Sequence, residues 1–331
     1  MRTIIFSLSL VVFFAVGPVR AHGYHDVVTV YHAVSLFDEV TVSPAERDSV
    51  VITGEGADNV PADDTNLAAR AAAALVRAVG TGARDSPGLA IRISKRIPVA
   101  AGLAGGSADA AAALVACNEL WRTGLSQAEL CELAAGIGSD VAFGLVGGTA
   151  IGVGRGERVT PALAAGTYHW VLAFATGGLS TAQVYAACDR IRATRGERDG
   201  SGPAKPAGRA RSGRTGTAAP PGPPALDNRL MAALRTGNPA EVGPLLANDL
   251  QQAAISLRPD LRRTLAAGVE LGALAAIVSG SGPTCAYLAK DARHAAALAV
   301  ALAGAGVCRT VVHVMGPVPG AGVTGFATES A

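Results

Sequence analysis

Apolar positions are densest at the start of the chain and settle into helical spacing later. Ile4 to Val16 reads I-I-F-S-L-S-L-V-V-F-F-A-V, broken only by Ser7 and Ser9. A continuous run rich in Val, Ile and Phe predicts a buried β-strand pair. The same stretch, with Arg2 ahead of it and the small or apolar Val19 and Ala21 behind, also has the build of a secretory leader. It is too short to cross a bilayer as a helix, which takes about 20 apolar residues. Val27 to Val30, Val34 to Leu36 and Val40 to Val42 are short β-branched runs that predict strands.

Farther along, the pattern alternates. Asn66 to Val79 has helical spacing with Thr65 placed to help cap it, and Leu89 to Ile93 alternates as a strand. A glycine-containing loop leads into an alanine-rich helix ending near Trp121. Ser126 to Ala135 predicts a helix opened by a capping box of Ser126 and Glu129. Strands are expected at Thr149 to Val153 and Trp170 to Phe174. Helices are expected at Asn228 to Arg235, Pro239 to Leu250 and Pro259 to Ala267. Strand Ala275 to Val278, a turn at Ser279 to Pro283, strand Cys285 to Leu288, a helix at Ala292 to Ala303 and strand Thr310 to Val314 complete an α+β second half.

Composition changes this picture in three places. At 331 residues the chain suits two domains sharing a cleft. Aromatic residues make up only 4 %, so the core must rest on Ala, Val and Leu. The formal charge of +2 hides an asymmetry. Residues 190–220 hold eight of the 28 basic residues and two of the 26 acidic ones, leaving 20 bases against 24 acids elsewhere. Nucleic-acid binding thus has no support outside that segment. Residues 190–224, dominated by Arg, Gly, Ser and Pro, predict a loosely ordered surface insert. Five cysteines without a C-x-x-C pair argue for a reduced, intracellular protein rather than a disulfide framework or a zinc site.

The chemistry begins at Pro98 to Ala110, P-V-A-A-G-L-A-G-G-S-A-D-A. Glycines at 102, 105 and 106 let backbone approach a ligand, and Ser107 is placed to cap the helix that follows. Free first-turn amides and the helix dipole would then favour a phosphate. A tight loop feeding a packed helix reads the same glycines as well.

The longer string K-R-I-P-V-A-A-G-L-A-G-G-S-A-D-A-A-A-A-L (Lys95 to Leu114) resembles the phosphate-binding loop of the GHMP small-molecule kinases. Within them it is similar to the branch acting on 4-diphosphocytidyl-2-C-methyl-D-erythritol. Three further segments carry the resemblance in the same order: H-G-Y-H-D-V-V-T-V-Y-H-A-V-S-L-F-D-E-V (His22 to Val40), G-S-D-V-A-F with G-G-T-A-I-G-V-G-R-G-E (Gly138 to Glu157), and S-G-S-G-P-T (Ser279 to Thr284). The resemblance spans about residues 15 to 315, and it favours a strand over a leader at the start of the chain.

The resemblance implies an α+β, two-domain GHMP kinase fold. A ribosomal S5 domain 2-like N-terminal domain would take residues 1–158 and a ferredoxin-like C-terminal domain residues 159–318. It implies a cytoplasmic, ATP-dependent enzyme using Mg²⁺ and phosphorylating the 2-hydroxyl of a cytidine diphosphate-linked methylerythritol. No nucleic-acid or membrane partner is expected, and the chain would be a monomer or homodimer. The nucleotide would lie on Pro98, Val99, Ala100, Ala101, Gly102, Leu103, Ala104, Gly105, Gly106, Ser107 and Ala108, with the Ser107 hydroxyl on the metal. Asp64 or Glu119 would be the carboxylates to assist it. Asp140 would be the catalytic base, and Tyr24, His25, Tyr31, Thr181 and Tyr185 would hold the cytidine end.

Two positions depart from the pattern. Ala142 stands where the branch has proline, which would loosen the turn after the base. The first-strand motif P-x-K-x-N-L places its lysine at Ser9 and its asparagine at Val11, and the chain's three lysines are at 95, 205 and 290. A nucleotide-binding relative of impaired activity, or another GHMP small-molecule kinase, is the alternative reading.

Overall fold

The computed structural model describes residues 1–20, 23–80, 82, 86–200 and 224–323, with backbone alone for 195–200 and 323. The initial apolar run is one strand, β1 (Arg2–Val19), paired antiparallel with the slightly longer β2 (His25–Ala45). The expected strand pair, and the three short strands expected between 27 and 42, are corrected to a single hairpin. Neither run contains a turn-forming break, so pairing continues. Register shifts after Ser7 and after Val11 bend the ribbon instead.

β3 (Ser49–Gly54), α1 (Leu67–Val79) and β4 (Gly88–Lys95) follow. Asn66, not Thr65, caps α1 by accepting from the Ala68 amide at 2.9 Å, because the Thr65 hydroxyl is bonded to Asp63. Next come α2 (Gly105–Trp121), α3 (Gln127–Ile137) and α4 (Val141–Val146). The Ser126–Glu129 capping box opens α3 as expected. In α2, Ala108, Ala110 to Ala113 and Ala116 are all buried, and their small side chains let β1 and α1 pack closely.

The chain continues through β5 (Thr149–Gly154), β6 (Arg158–Pro161), β7 (Tyr168–Phe174) and α5 (Thr181–Gly200). The surface insert expected from residue 190 is corrected here, because the backbone of 190–200 extends α5. Val184, Ala187 and Cys188 are buried and Ile191 packs against them, the spacing of one helix face. Residues 201–223 of that expectation lie outside the described residues.

α6 (Asn228–Thr236), α7 (Pro239–Val242), β8 (Ala247–Asn248), α8 (Gln251–Leu257) and α9 (Asp260–Glu270) come next. The long helix expected from Pro239 to Leu250 stops after Val242, where Gly243-Pro244 turns the chain into a single 3₁₀ turn. β9 (Ala275–Val278), β10 (Cys285–Ala289), α10 (Ala292–Ala305), β11 (Thr310–Gly316) and β12 (Gly322–Val323) finish the fold.

Two sheets result. The eight-stranded one has the order β12-β1-β2-β4-β3, with β5 and then β6 added beside β2, and β8 beside β1. The four-stranded one is antiparallel, β11-β7-β10-β9. β6 spans the division expected at 158/159 and stays with the first sheet through β5. Ile4, Phe6, Leu8 and Leu10 of β1 enter the main core, whereas Val16 joins the core of the second sheet. β1 therefore links both units, and its intervening face, carrying Ser9 and Val11, borders a cleft.

Candidate functional site

The cleft has a volume of about 930 Å³ and is walled by β1, β2, the 98–107 loop, α5 and the turn after β9. At one end, the loop is wound by three left-handed residues, Ala100 (φ 54°), Gly102 (φ 73°) and Ala104 (φ 53°). Alanine is uncommon in that region, and such backbone collects at functional sites. Ala104 holds the N-cap position of α2 and makes no side-chain cap. Ser107, expected as the cap, is instead inside the first turn, since the helix begins at Gly105. Its hydroxyl is consequently free to face the cleft, beside first-turn amides that no side chain covers.

The loop is held from behind by the turn after β9. Ser279 accepts from the Val11 amide at 3.3 Å and donates to the Gly102 carbonyl at 3.1 Å. Thr284 N–H reaches the Ala101 carbonyl. A Cβ on Gly102 would lie 2.5 Å from the Ser279 carbonyl oxygen and 2.6 Å from the Gly282 nitrogen. Gly280 and Ser281 line the cleft, while Gly282 stands behind as part of this clamp. Of the loop residues expected at the nucleotide, Pro98 through Ser107 line the cleft. Ala108 is corrected: it does not line the cleft, and its side chain is buried in the main core.

Asp140 precedes α4 without capping it, leaving its carboxylate in the cleft. The Tyr31 hydroxyl donates to its Oδ1 at 2.6 Å. Burial pushes the Asp140 carboxyl above its ordinary range, and the Tyr31 bond partly opposes this. Ala142 sits buried inside α4, so the turn after Asp140 is not loosened.

The five expected acceptor residues all line the same cleft, in two different states. Tyr31 is buried, stacked on Phe143 at 4.7 Å and pressed against Gly152 and Gly156, so its ring offers no free face. Its hydroxyl is the part that meets another side chain of the cleft, at Asp140. His25 stacks on Tyr185 at 5.1 Å, donates from Nδ1 to the Gly17 carbonyl at 2.9 Å, and approaches Asp189 at 3.3 Å. Tyr24 is more than half exposed, with the Arg155 guanidinium 5.6 Å from its ring centre. Thr181 bonds to Ser281 at 3.0 Å.

Neither Asp64 nor Glu119 lines the cleft, although Thr65 beside Asp64 does. Asp64 borders a separate cavity between α1 and β3. Glu119 lies 12 residues beyond Ser107 on α2, about 18 Å along the axis. No cluster of three or more His, Cys, Asp or Glu able to hold a metal occurs among the described residues. Mg²⁺ bound mainly through substrate phosphates needs none, and a single hydroxyl such as that of Ser107 fits such a site.

Sequence reasoning missed the buried cluster under the loop. Lys95 is ion-paired with Asp38 and, at 2.8 Å, with Asp109 of α2. Asp38 also accepts from the Ile97 amide at 2.8 Å. Burial raises the Asp109 carboxyl despite Lys95. Asp38 and Lys95 are 57 residues apart, and no local pattern joins them. Asp189 was legible in principle, four residues after Tyr185 and so on the same helix face.

Comparison with known proteins shows the family and the fold. The GHMP kinases N terminal domain matches residues 66–150 and the GHMP kinases C terminal domain residues 230–308. The chain is 53 % identical over 310 residues to a 4-diphosphocytidyl-2-C-methyl-D-erythritol kinase of Nocardia farcinica, covering 93 % of this chain and 91 % of that one. With the enzyme of that name from Mycobacterium tuberculosis (strain ATCC 25177 / H37Ra) it shares 50 % over 317 residues, covering 96 % and 91 %. A crystal structure of 4-(cytidine 5'-diphospho)-2C-methyl-D-erythritol kinase superposes with TM-score 0.71 at 28 % identity, covering 95 % of this chain and 98 % of the other. A homoserine kinase from Cytophaga hutchinsonii, 17 % identical with TM-score 0.69 over 97 % and 96 % of the two chains, shares the fold.

Proposed function

Because this chain belongs to the 4-diphosphocytidyl-2-C-methyl-D-erythritol kinases of the GHMP family, we propose that its cleft phosphorylates the 2-hydroxyl of that cytidine-linked substrate. The chain is an ATP-dependent small-molecule kinase with an α+β GHMP fold. The single observation that carries the substrate reading is one cleft holding an uncapped glycine loop, a carboxylate and a His25–Tyr185 stack.

Phosphoryl transfer asks the protein mainly to position donor and acceptor and to stabilise charge. In our reading the first-turn amides of α2 and the loop from Pro98 to Ser107 cradle the triphosphate. Ser107 would hold Mg²⁺ together with phosphate oxygens, and the ion supplies neutralisation of phosphate charge when bound. Asp140 takes the proton from the acceptor hydroxyl, with its free oxygen set by the Tyr31 bond on the other. Tyr24, His25 and Tyr185 hold the cytosine, Thr181 closes that end, and Tyr31 acts on Asp140 rather than on the base. The division at 158/159 assigns the loop and Asp140 to the N-terminal domain and Thr181 and Tyr185 to the C-terminal one. No helix among the described residues is long and apolar enough to cross a membrane, and use of ATP by the family suits a cytoplasmic setting.

The test is ADP release by the purified chain with the cytidine substrate, with homoserine and mevalonate as rivals. Turnover confined to the cytidine substrate, lost in Asp140→Asn while ATP binding persists, is the expected result. Turnover only with a rival acceptor would overturn the substrate assignment.

A further inference from the structure

His169 and His313 belong to the second sheet, and neither lines the cleft. β7 and β11 pair His169 with Met315 and Val171 with His313. Strand alternation puts these four side chains on one face. Farther along that face, Val171, Ala173 and Val311 pack into the core of the second sheet. At the His169 end it opens to solvent, where His313 is exposed and Met315 is 48 % exposed. Val171 and Met315 bring no charge to the pair.

The two imidazoles meet on a diagonal across the strands. His169 Nδ1 and His313 Nε2 are 3.2 Å apart, with ring centres 5.4 Å apart and planes inclined by 48°. Two imidazolium rings would repel at that distance, so a single N–H of one ring points at the lone pair of the other. Burial, and then the neighbouring His169, lower the His313 imidazole below its ordinary pKa, which favours the neutral ring. A metal ion can take the place of the shared proton, which passes to solvent. Two nitrogens bound about 2.0–2.1 Å from one tetrahedral Zn²⁺ lie about 3.3 Å apart, the edge of the tetrahedron. The nitrogens of His169 and His313 already stand at that separation.

We propose that His169 and His313 form a two-imidazole site for a divalent ion of the zinc class, which fastens β11 to β7. The donors are borderline nitrogens, suited to Zn²⁺ and its transition-metal neighbours; Mg²⁺ takes oxygen ligands instead. No acid or cysteine joins the two histidines in a group of three among the described residues, so the other coordination positions are left to solvent. β11 ends the four-stranded sheet and β7 lies inside it. The bridge therefore ties an end strand to an interior one. The site is independent of the kinase reading.

Zinc chloride is titrated into the full chain without nucleotide, and binding is read by calorimetry and by melting temperature. His169→Asn, His313→Asn and the double variant are measured alongside, with magnesium chloride as the hard-cation control. The wild type should bind one Zn²⁺ that the variants do not, and its melting temperature should rise saturably, since a ligand of the folded state stabilises it. Each single variant should lose affinity by at least the roughly 10–100-fold that loss of an outer-shell partner costs. The double variant should lose no more than either single one, because one imidazole cannot chelate alone and the two effects are not additive. An equal zinc response in wild type and variants, as binding at Cys131 or Cys308 would give, overturns the site. So does a loss confined to one of the two single variants, or an equal response to Mg²⁺. The shift each variant shows on adding zinc decides the matter even where its metal-free melting temperature has moved.

Discussion

Tyr31 and Asp140 are joined by a 2.6 Å hydrogen bond, donated from a buried ring stacked on Phe143. The two residues are 109 positions apart and come from β2 and the turn before α4. The ring cannot swing away without opening a cavity beside Gly152, so the hydroxyl fixes the orientation of the carboxylate.

Tyr31→Phe keeps that packing and removes only the bond. A hydrogen bond to a charged group contributes about 1.5–3 kcal/mol, so kcat should fall by roughly tenfold to a hundredfold with little change in KM for ATP. The bond holds the Asp140 carboxyl down against burial. Without it the acidic limb of the kcat–pH profile should move to higher pH. A profile that stays in place would show that Tyr31 does not act through Asp140.

Gly102→Ala should weaken ATP binding. The added Cβ meets backbone at 2.5 Å and 2.6 Å, and the residue sits at φ 73°. The loop must move off the Ser279–Gly282 turn, at a cost of about 1–3 kcal/mol for the backbone conformation alone. Calorimetric titration with ATP should show a loss of about tenfold or more, from the same 1–3 kcal/mol.

Lys95→Met should be severely destabilising. It leaves Asp38 and Asp109 buried without their cation, and breaking such a cluster costs about 3–5 kcal/mol. Urea unfolding measures this directly. Adding Asp109→Asn to Lys95→Met should recover part of the loss, because it removes one of the stranded charges.

His32 should give the protein an acid-side stability loss. It is buried against Tyr168 and Trp170, bonded to Thr149, and burial lowers its pKa from 6.5 to about 4. Between those values the unfolded imidazole is protonated and the folded one is neutral, so unfolding takes up a proton. The stability contribution is complete above pH 6.5 and is lost as pH falls toward 4, by about 3 kcal/mol in all. In His32→Gln, denaturation midpoints between pH 7 and 4 should fall less steeply than in the wild type.

Much of the site was legible in the chain itself. The glycine loop, the Ser126 cap and most strand positions follow from local rules: backbone freedom, side-chain oxygens near free amides, and β-branched runs. Asp140 and the acceptor aromatics were found through the order of four motifs. Their roles were not, because Tyr31 reads alike as a stacking platform or as a buried hydroxyl donor. Ser107 likewise reads as a cap until the helix is seen to start two residues earlier.

The sequence by itself determined that a candidate phosphate loop and a candidate base exist, and that positions 9 and 11 carry serine and valine. Only the tertiary structure decided how they face one another. Pairing of β1 with residues 25–42 of β2 set Ser9 on the face of Tyr31, and burial tied Lys95 to Asp38 and Asp109 instead of leaving it for the nucleotide. These contacts reach across 14 to 57 residues. They follow from sheet register and from the need to neutralise buried charge, neither of which a local pattern encodes.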